Sequence, residues 1–350
     1  MKNLTTYDVL KVDNNFYYVC NEFNALIKHE DGTLTNVILD TIPDEDLFGK
    51  KLISKLLYIN GEILFVPLNA KKIWIYNIKG RIWSEISISN SECKYKFFDA
   101  IYYENKIYFI PCKYAYLVCL DIVTRKLTYI DISRGCYKNN NEIWFRHIVV
   151  RHDNSFFCAS CIGNLVFAFD LKNTTYEWID TGIKCSGFSG MVFDGKTFWI
   201  SPRNESDRIF CWCKNMGNSS IPLIGDKNEV IQWLSLDNNS IVVIKNNECI
   251  FVSVDEPLIG QKISEPLLFH KYEKGRIDSL SNKSIYQSVS VNRTYSFNIV
   301  LDENEINDFV ASQINKSQND RFKNFEVINE GYLFGINTLL SVIKKDIAHE

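Results

Sequence analysis

The segment NGEILFVPLNAKKIWIYNIKGRIWSEI, Asn60 to Ile86, contains a tight turn, an apolar run stopped by Pro67, a second alternating run and a closing Trp83. Ile73-Trp74-Ile75-Tyr76 is made of β-branched and aromatic residues with no helical spacing, which is the composition of a strand. The same plan recurs in ENKIYFIPCKYAYLVCLDIVTRKLTYI (Glu104 to Ile130) and in DNSFFCASCIGNLVFAFDLKNTTYEWI (Asp153 to Ile179). Looser copies run from Asp194 to Cys213 and from Asp237 to Asp255.

The turn that opens the second strand sets the register of each unit. It falls at Asn15, Gly61, Asn105, Asn154, Gly195, Asn239 and Asn282, a spacing of about 44 residues, the length of one four-stranded blade. Asn60-Gly61, Glu104-Asn105, Asp153-Asn154 and Asp194-Gly195 are residue pairs that tolerate the positive φ of tight hairpins. Pro67, Pro111 and Pro202 stop the second strand, where a missing N–H does least harm. The expected fold is all-β: a β-propeller of four-stranded antiparallel blades, seven in number with six as the alternative, and a short C-terminal helical extension. The seventh unit, about 275–301, is the most degenerate. Residues 1–301 are read as the propeller and 302–350 as a helical cap closing on it. In that cap Ile306, Phe309, Val310 and Ile314 have helical spacing, as do Leu339, Leu340, Ile343 and Ile347, with a strand-like Phe325 to Ile328 between them.

The spacing from Tyr76-Asn77 to Trp83, and the Asp194-Gly195-Lys196 turn before Phe198-Trp199-Ile200, resemble the kelch repeat. Phe169-Asp170 to Trp178 and Leu120-Asp121 to Tyr129 are looser versions. The chain departs from kelch where a diglycine should end the second strand, since Pro67-Leu68, Pro111-Cys112 and Ser201-Pro202 stand there. The resemblance, to a divergent bacterial kelch-like propeller, implies a scaffold fold that hosts binding proteins, oxidases and sugar epimerases alike.

A net charge of −3 gives no polyanion-binding signal. The N-terminus lacks a signal-like apolar run, and no stretch reaches the ~20 apolar residues of a membrane span. The expectation is a cytoplasmic monomer that binds neither nucleic acid nor membrane. Eleven cysteines include Cys158-x-x-Cys161 and Cys211-x-Cys213, but residues three apart on a strand face opposite ways, so buried structural thiols are expected rather than a metal site.

Five scattered histidines build no site, and no Gly-rich phosphate loop, Ser–His–Asp order or metal motif is present. A propeller instead offers a funnel, where loops leading into the innermost strands and loops joining the second and third strands converge. Lys55, Asp99, Arg146, Ser189 and Gln232 fall in the first set; Lys72, Tyr114, Asn164, Arg203 and Asn246 fall in the second. Phe98, Phe145, Phe188 and Trp233 recur beside the first set as wedges between blades. Lys55, Asp99, Arg146, Tyr114, Arg203 and Trp233 are the candidate binding residues, and no residue is assigned a catalytic role, a cofactor or a metal. The expected function is a non-catalytic scaffold presenting this funnel to a protein, peptide or glycan. The alternative is a sugar-ring isomerase or mutarotase using Asp99 and Arg146.

Overall fold

The computed structural model describes residues 2–3, 6–31, 33, 36–136, 142–146, 149–205, 207–223, 231–237, 240–245, 248–253, 269–271, 286–288, 293–295, 300–301 and 303–323. Only the backbone is described at 2–3, 232–233, 237, 244, 248–249, 251, 253, 303, 315–323 and in the strands after 253. The chain divides into two compact units, Met1–Asp302 and Glu303–Glu350.

In the first unit β1 is Lys2–Asn3. The first four-stranded antiparallel sheet follows as β2 (Val9–Val12), β3 (Asn15–Val19), β4 (Leu26–Glu30) and β5 (Asn36–Asp40). The second is β6 (Ile53–Ile59), β7 (Glu62–Pro67), β8 (Lys72–Asn77) and β9 (Ile82–Ser87); the third is β10 (Phe97–Tyr103), β11 (Lys106–Pro111), β12 (Tyr116–Asp121) and β13 (Lys126–Asp131). The fourth is β14 (Val150–His152), β15 (Ser155–Ala159), β16 (Leu165–Asp170) and β17 (Thr175–Asp180). The fifth is β18 (Phe188–Phe193), β19 (Phe198–Pro202), β20 (Arg208–Cys213) and β21 (Gly217–Pro222). The sixth is β22 (Ile231–Asp237), β23 (Ser240–Lys245), β24 (Glu248–Ser253) and β25 (Phe269–Lys271). Each sheet keeps its strands in chain order, as blades of a β-propeller do.

Beyond these six blades lie a pair, β26 (Tyr286–Ser288) with β27 (Arg293–Tyr295), and β28 (Val300–Leu301). β28 pairs antiparallel with β1 through Lys2↔Leu301 and Asn3↔Val300. β26 also meets β2, so the strands of a seventh blade lie beside the first and the array closes. Closure removes the exposed strand edge that an open array would leave.

The turns form for the reason their residues suggest. φ is positive at Asn60 and Gly61, at Glu104 and Asn105, and at Asp153, the backbone that two-residue hairpins need, and at Gly195 in the longer turn between Phe193 and Phe198. Pro67, Pro111 and Pro202 are the last residues of β7, β11 and β19. In the second, third and fourth blades the second and third strands are the most completely buried, as in ILFVP of β7 and VFAF of β16. Such strands pack both faces against neighbouring blades, which is why they read as near-continuous apolar runs rather than alternating ones.

The core is therefore a set of seams between blades. Trp74, Tyr76 and Phe65 of the second blade pack against Leu10, Val19 and Leu26 of the first. Phe156, Phe167 and Phe169 of the fourth meet Ile101, Tyr108 and Ile132 of the third. Gly187, leading into β18, is tied to its neighbour by space: an added Cβ would lie 2.3 Å from the Cys161 carbonyl oxygen.

The second unit contains α1, Glu303–Lys323. Ile306, Phe309, Val310 and Ile314 are its less exposed positions, while Asn304, Glu305, Asn307 and Asp308 are exposed. No described helix is long and apolar enough to cross a membrane. The strand-like Phe325 to Ile328 and the helical pattern at Leu339 to Ile347 lie outside the described residues.

Candidate binding site

Where an innermost strand begins, its pairing with the second strand slips by one residue. The slip lies between Ile53 and Lys55, Phe97 and Asp99, Phe188 and Gly190, and Ile231 and Trp233. The extra residue is Ser54, Phe98, Ser189 or Gln232, and a bulge of this kind re-aims the side chains around it. Lys55 and Asp99 are thus equivalent positions. Ser189 and Gln232 are not their counterparts, since the bulge sets Gly190 and Trp233 there instead. That one-residue offset corrects the alignment made by counting from the turns.

The same position in the first blade is Asp8, just before β2, and it completes a charged run across three consecutive blades. Lys55 forms an ion pair with Asp99 in which the side chains are 13% and 2% exposed. Asp99 Oδ1 also accepts from its neighbour Ala100 N–H at 2.8 Å, and Oδ2 accepts from Val149 N–H of the fourth blade at 2.8 Å. Asp8 Oδ2 accepts from Leu56 N–H of the second blade at 2.8 Å. Each carboxylate therefore bonds the start of the next innermost strand, stitching blades together around the axis. Ser54 makes a further stitch by donating to Phe97 O at 2.8 Å.

Surrounding protein raises the Asp8 carboxyl to about 6; Lys55 and two backbone N–H groups pull it down, and Asp99 pushes it up. Asp8 keeps some accessible surface, so it is an acid that desolvation, not sequestration, has weakened. Val12 pairs with Asn15, so the first turn is Asp13-Asn14, one residue earlier than the Asn15 read from the sequence; Asp8 then stands six residues before Asn14, as Lys55 and Asp99 stand six before Gly61 and Asn105.

Around this run lie the remaining candidates. Arg146 is exposed, in a non-strand segment before β14. Burial raises the titration of both Tyr7, from the first blade, and Cys161, from the fourth, and the Arg146 charge opposes each rise. Arg203 donates Nη1–H to Cys161 O at 3.1 Å and also acts on the Cys161 thiol, which burial pushes up to about 11. Arg203 is thus bonded to the Cys161 carbonyl while the Arg146 charge acts on the thiol of the same residue, and Asp99 is buried with both oxygens engaged. Tyr7 packs edge-on against Phe98 at 6.1 Å, and Lys113 Nζ sits 5.6 Å over the exposed Tyr95 ring.

Tyr114 lies in the core, packed on Phe97 at 4.9 Å and hydrogen-bonded to the Ser89 hydroxyl and carbonyl. Lys72 pairs with Asp44 and Glu85, and Asn164 donates to Asp180. Ser189 is bonded to Ser201 and to Pro202 O. Phe145 and Phe188 are buried wedges. Trp233 is opposite Ile244 in β22, and its side chain, like that of Gln232, lies outside the described set, as does Asn246 altogether. Cys20, Cys119, Cys158 and Cys161 are buried thiols. Among the described residues no cluster of His, Cys, Asp or Glu could hold a metal.

No protein-family description and no curated protein matches this chain. Solved structures do. Virginiamycin B lyase from Staphylococcus aureus superposes over 77% of this chain and 85% of its own, at 12% identity and a TM-score of 0.57. YCF48, solved bound to D1 peptide, covers 77% of this chain and 81% of its own, at 12% identity and a TM-score of 0.54. The extracellular domain of a putative one-component system from B. thetaiotaomicron aligns over 76% of this chain and 35% of that one, at 15% identity and a TM-score of 0.53. At such identities the likeness is one of fold, and the fold is the β-propeller.

Proposed function

We propose that the protein is a binding propeller whose channel mouth receives a protein or peptide segment. The observation that carries this reading is the exposed Arg146, whose charge reaches Tyr7 and the Cys161 that Arg203 bonds, while Asp99 is already committed to Lys55 and backbone N–H groups. Arginine beside aromatic side chains is common equipment of an interface hot spot. Asp99, the first suspect for acid–base work, has no lone oxygen to offer a substrate. YCF48, a propeller of comparable span, was solved with a peptide, which is consistent with the reading. Screening a peptide array and measuring the best binder by fluorescence polarisation tests it. Arg146→Ala is expected to weaken binding by about tenfold or more; unaltered affinity would remove Arg146 from the site.

A second reading keeps one specific support. Asp8, with its carboxyl near 6, is a group poised to exchange protons near neutral pH, as a mutarotase requires. Anomer exchange of free sugars followed by NMR, compared between the parent and Asp8→Asn, decides it: equal rates in both dismiss the enzyme. We further place the chain among divergent bacterial kelch-like propellers, acting as a cytoplasmic monomer. Buried thiols suit a reducing compartment, and fractionation of the native cells is the direct check.

A further inference from the structure

Three seams between blades are closed at their outer edge by an aromatic from the following blade's fourth strand. Trp83 packs near Leu39 and donates Nε1–H to Asp40 at 2.9 Å. Tyr129 packs near Ile86, its hydroxyl accepting from Ser89 N–H at 3.0 Å. Trp178 and Tyr176 pack near Ile130, and Trp178 donates Nε1–H to Ile132 O at 2.8 Å. The fourth seam breaks the rule. Asn218, opposite Trp212, takes the place that Trp83 and Tyr176 hold opposite Tyr76 and Phe169. Ser220, opposite Phe210, takes the place that Trp178 holds opposite Phe167.

The missing rings leave an opening of about 410 Å³ lined by Ile179, Asp180, Thr181, Trp212, Lys214 and Asn218. This volume is within the ~300–1,000 Å³ of ligand pockets. Its walls keep two of the parts that greet an indole elsewhere in the molecule, while the Thr181 carbonyl, counterpart of the Ile132 carbonyl, accepts from Asn218 Nδ2–H at 2.9 Å. Ile179 is the counterpart of Ile130, and Asp180 is the counterpart of Asp40, each facing the start of its blade's third strand. Asp180 Oδ1 accepts from Asn164 at 2.6 Å and from Gly182 N–H at 2.7 Å; no described donor meets Oδ2. That oxygen is the atom type that receives the Trp83 N–H in the first seam.

We propose that the seam between the fourth and fifth blades is a socket for a tryptophan side chain of a partner polypeptide, which enters where the repeat omits its own aromatic. Its ring would lie between Ile179 and Trp212 and its N–H would donate to Asp180. The site is separate from the channel mouth and does not depend on the function proposed there.

Ligand-observed NMR titration of the full chain with N-acetyltryptophanamide and N-acetylphenylalaninamide tests the proposal. The tryptophan probe is expected to bind saturably, and about fivefold tighter than the phenylalanine probe, the worth of one hydrogen bond. Asp180→Ala, a change at an exposed residue, is expected to erase that preference. Asn218→Trp should fill the socket in cis, abolish binding and raise the melting temperature by about 3 °C; should that variant fail to fold, Asp180→Ala carries the test. Arg146→Ala should leave this binding untouched. Absence of saturable binding, equal affinity for both probes, or full binding by folded Asn218→Trp would each overturn the proposal.

Discussion

Asp8 is held by two opposed effects: protein packed around it disfavours its charge, while Lys55 and the Leu56 N–H favour it. Desolvation wins, lifting the carboxyl to about 6 from its usual 3.8. The folded state then binds the proton more tightly than the unfolded chain, so this group makes stability fall as pH rises through the window between those two values. Asparagine keeps an acceptor for Leu56 N–H and removes the charge. Asp8→Asn is therefore expected to raise the melting temperature at pH 7.5 and to do so less, or not at all, at pH 4.5. Equal shifts at both pH values in a thermal-melt series would contradict the assignment. Asp99 is held differently. It is nearly covered, pairs with Lys55 and accepts from two N–H groups, and such a buried pair sets geometry more than it adds stability. Sequence alone could show that Lys55 and Asp99 shared a place in the repeat. It could not show that they met each other, because their contact crosses a blade boundary.

At the scale of the strand, the closing aromatic of the second, third and fourth blades is the element whose purpose the repeat displayed without explaining. Trp178 stacks between Phe145 at 5.8 Å and Trp144 at 5.6 Å and bonds the preceding blade's Ile132 carbonyl. Its ring crowds Gly135, where φ is +98° and an added Cβ would lie 3.1 Å from Trp178 Cδ1. Trp178→Ala removes that stack and leaves the carbonyl without its donor, a cost of about 3 kcal/mol. A urea-unfolding midpoint unchanged from the parent would show the aromatic to be dispensable. The strands themselves were legible because turn residues and apolar runs are local signals. The one-residue bulges at the start of β6, β10, β18 and β22 were not, because nothing in the local pattern marks an extra residue in a strand. Counting from the turns therefore placed Ser189 and Gln232 one position off.

Across the whole propeller unit, closure rests on the short pairing of β1 with β28 and on β26 meeting β2. Removing residues 1–5 would strip β1 from the last blade and expose the edge of β28, so a lower urea midpoint and concentration-dependent light scattering are expected. A truncated chain as stable and as monodisperse as the parent would show that the ring is held elsewhere. The sequence by itself determined that the chain is a repeat of four-stranded units about 44 residues long, since hairpin φ preferences and apolar patterning act within a few residues. It also marked Arg146 and Arg203 as residues to watch. The tertiary structure alone decided that Asp8, Lys55 and Asp99 form one run, that Tyr114 belongs to the core, and that the fourth seam is bridged by Asn218 and Lys214 where other seams are closed by an aromatic. Those outcomes depend on contacts between residues some 40 positions apart, where burial and hydrogen-bond supply are set by the neighbouring blade.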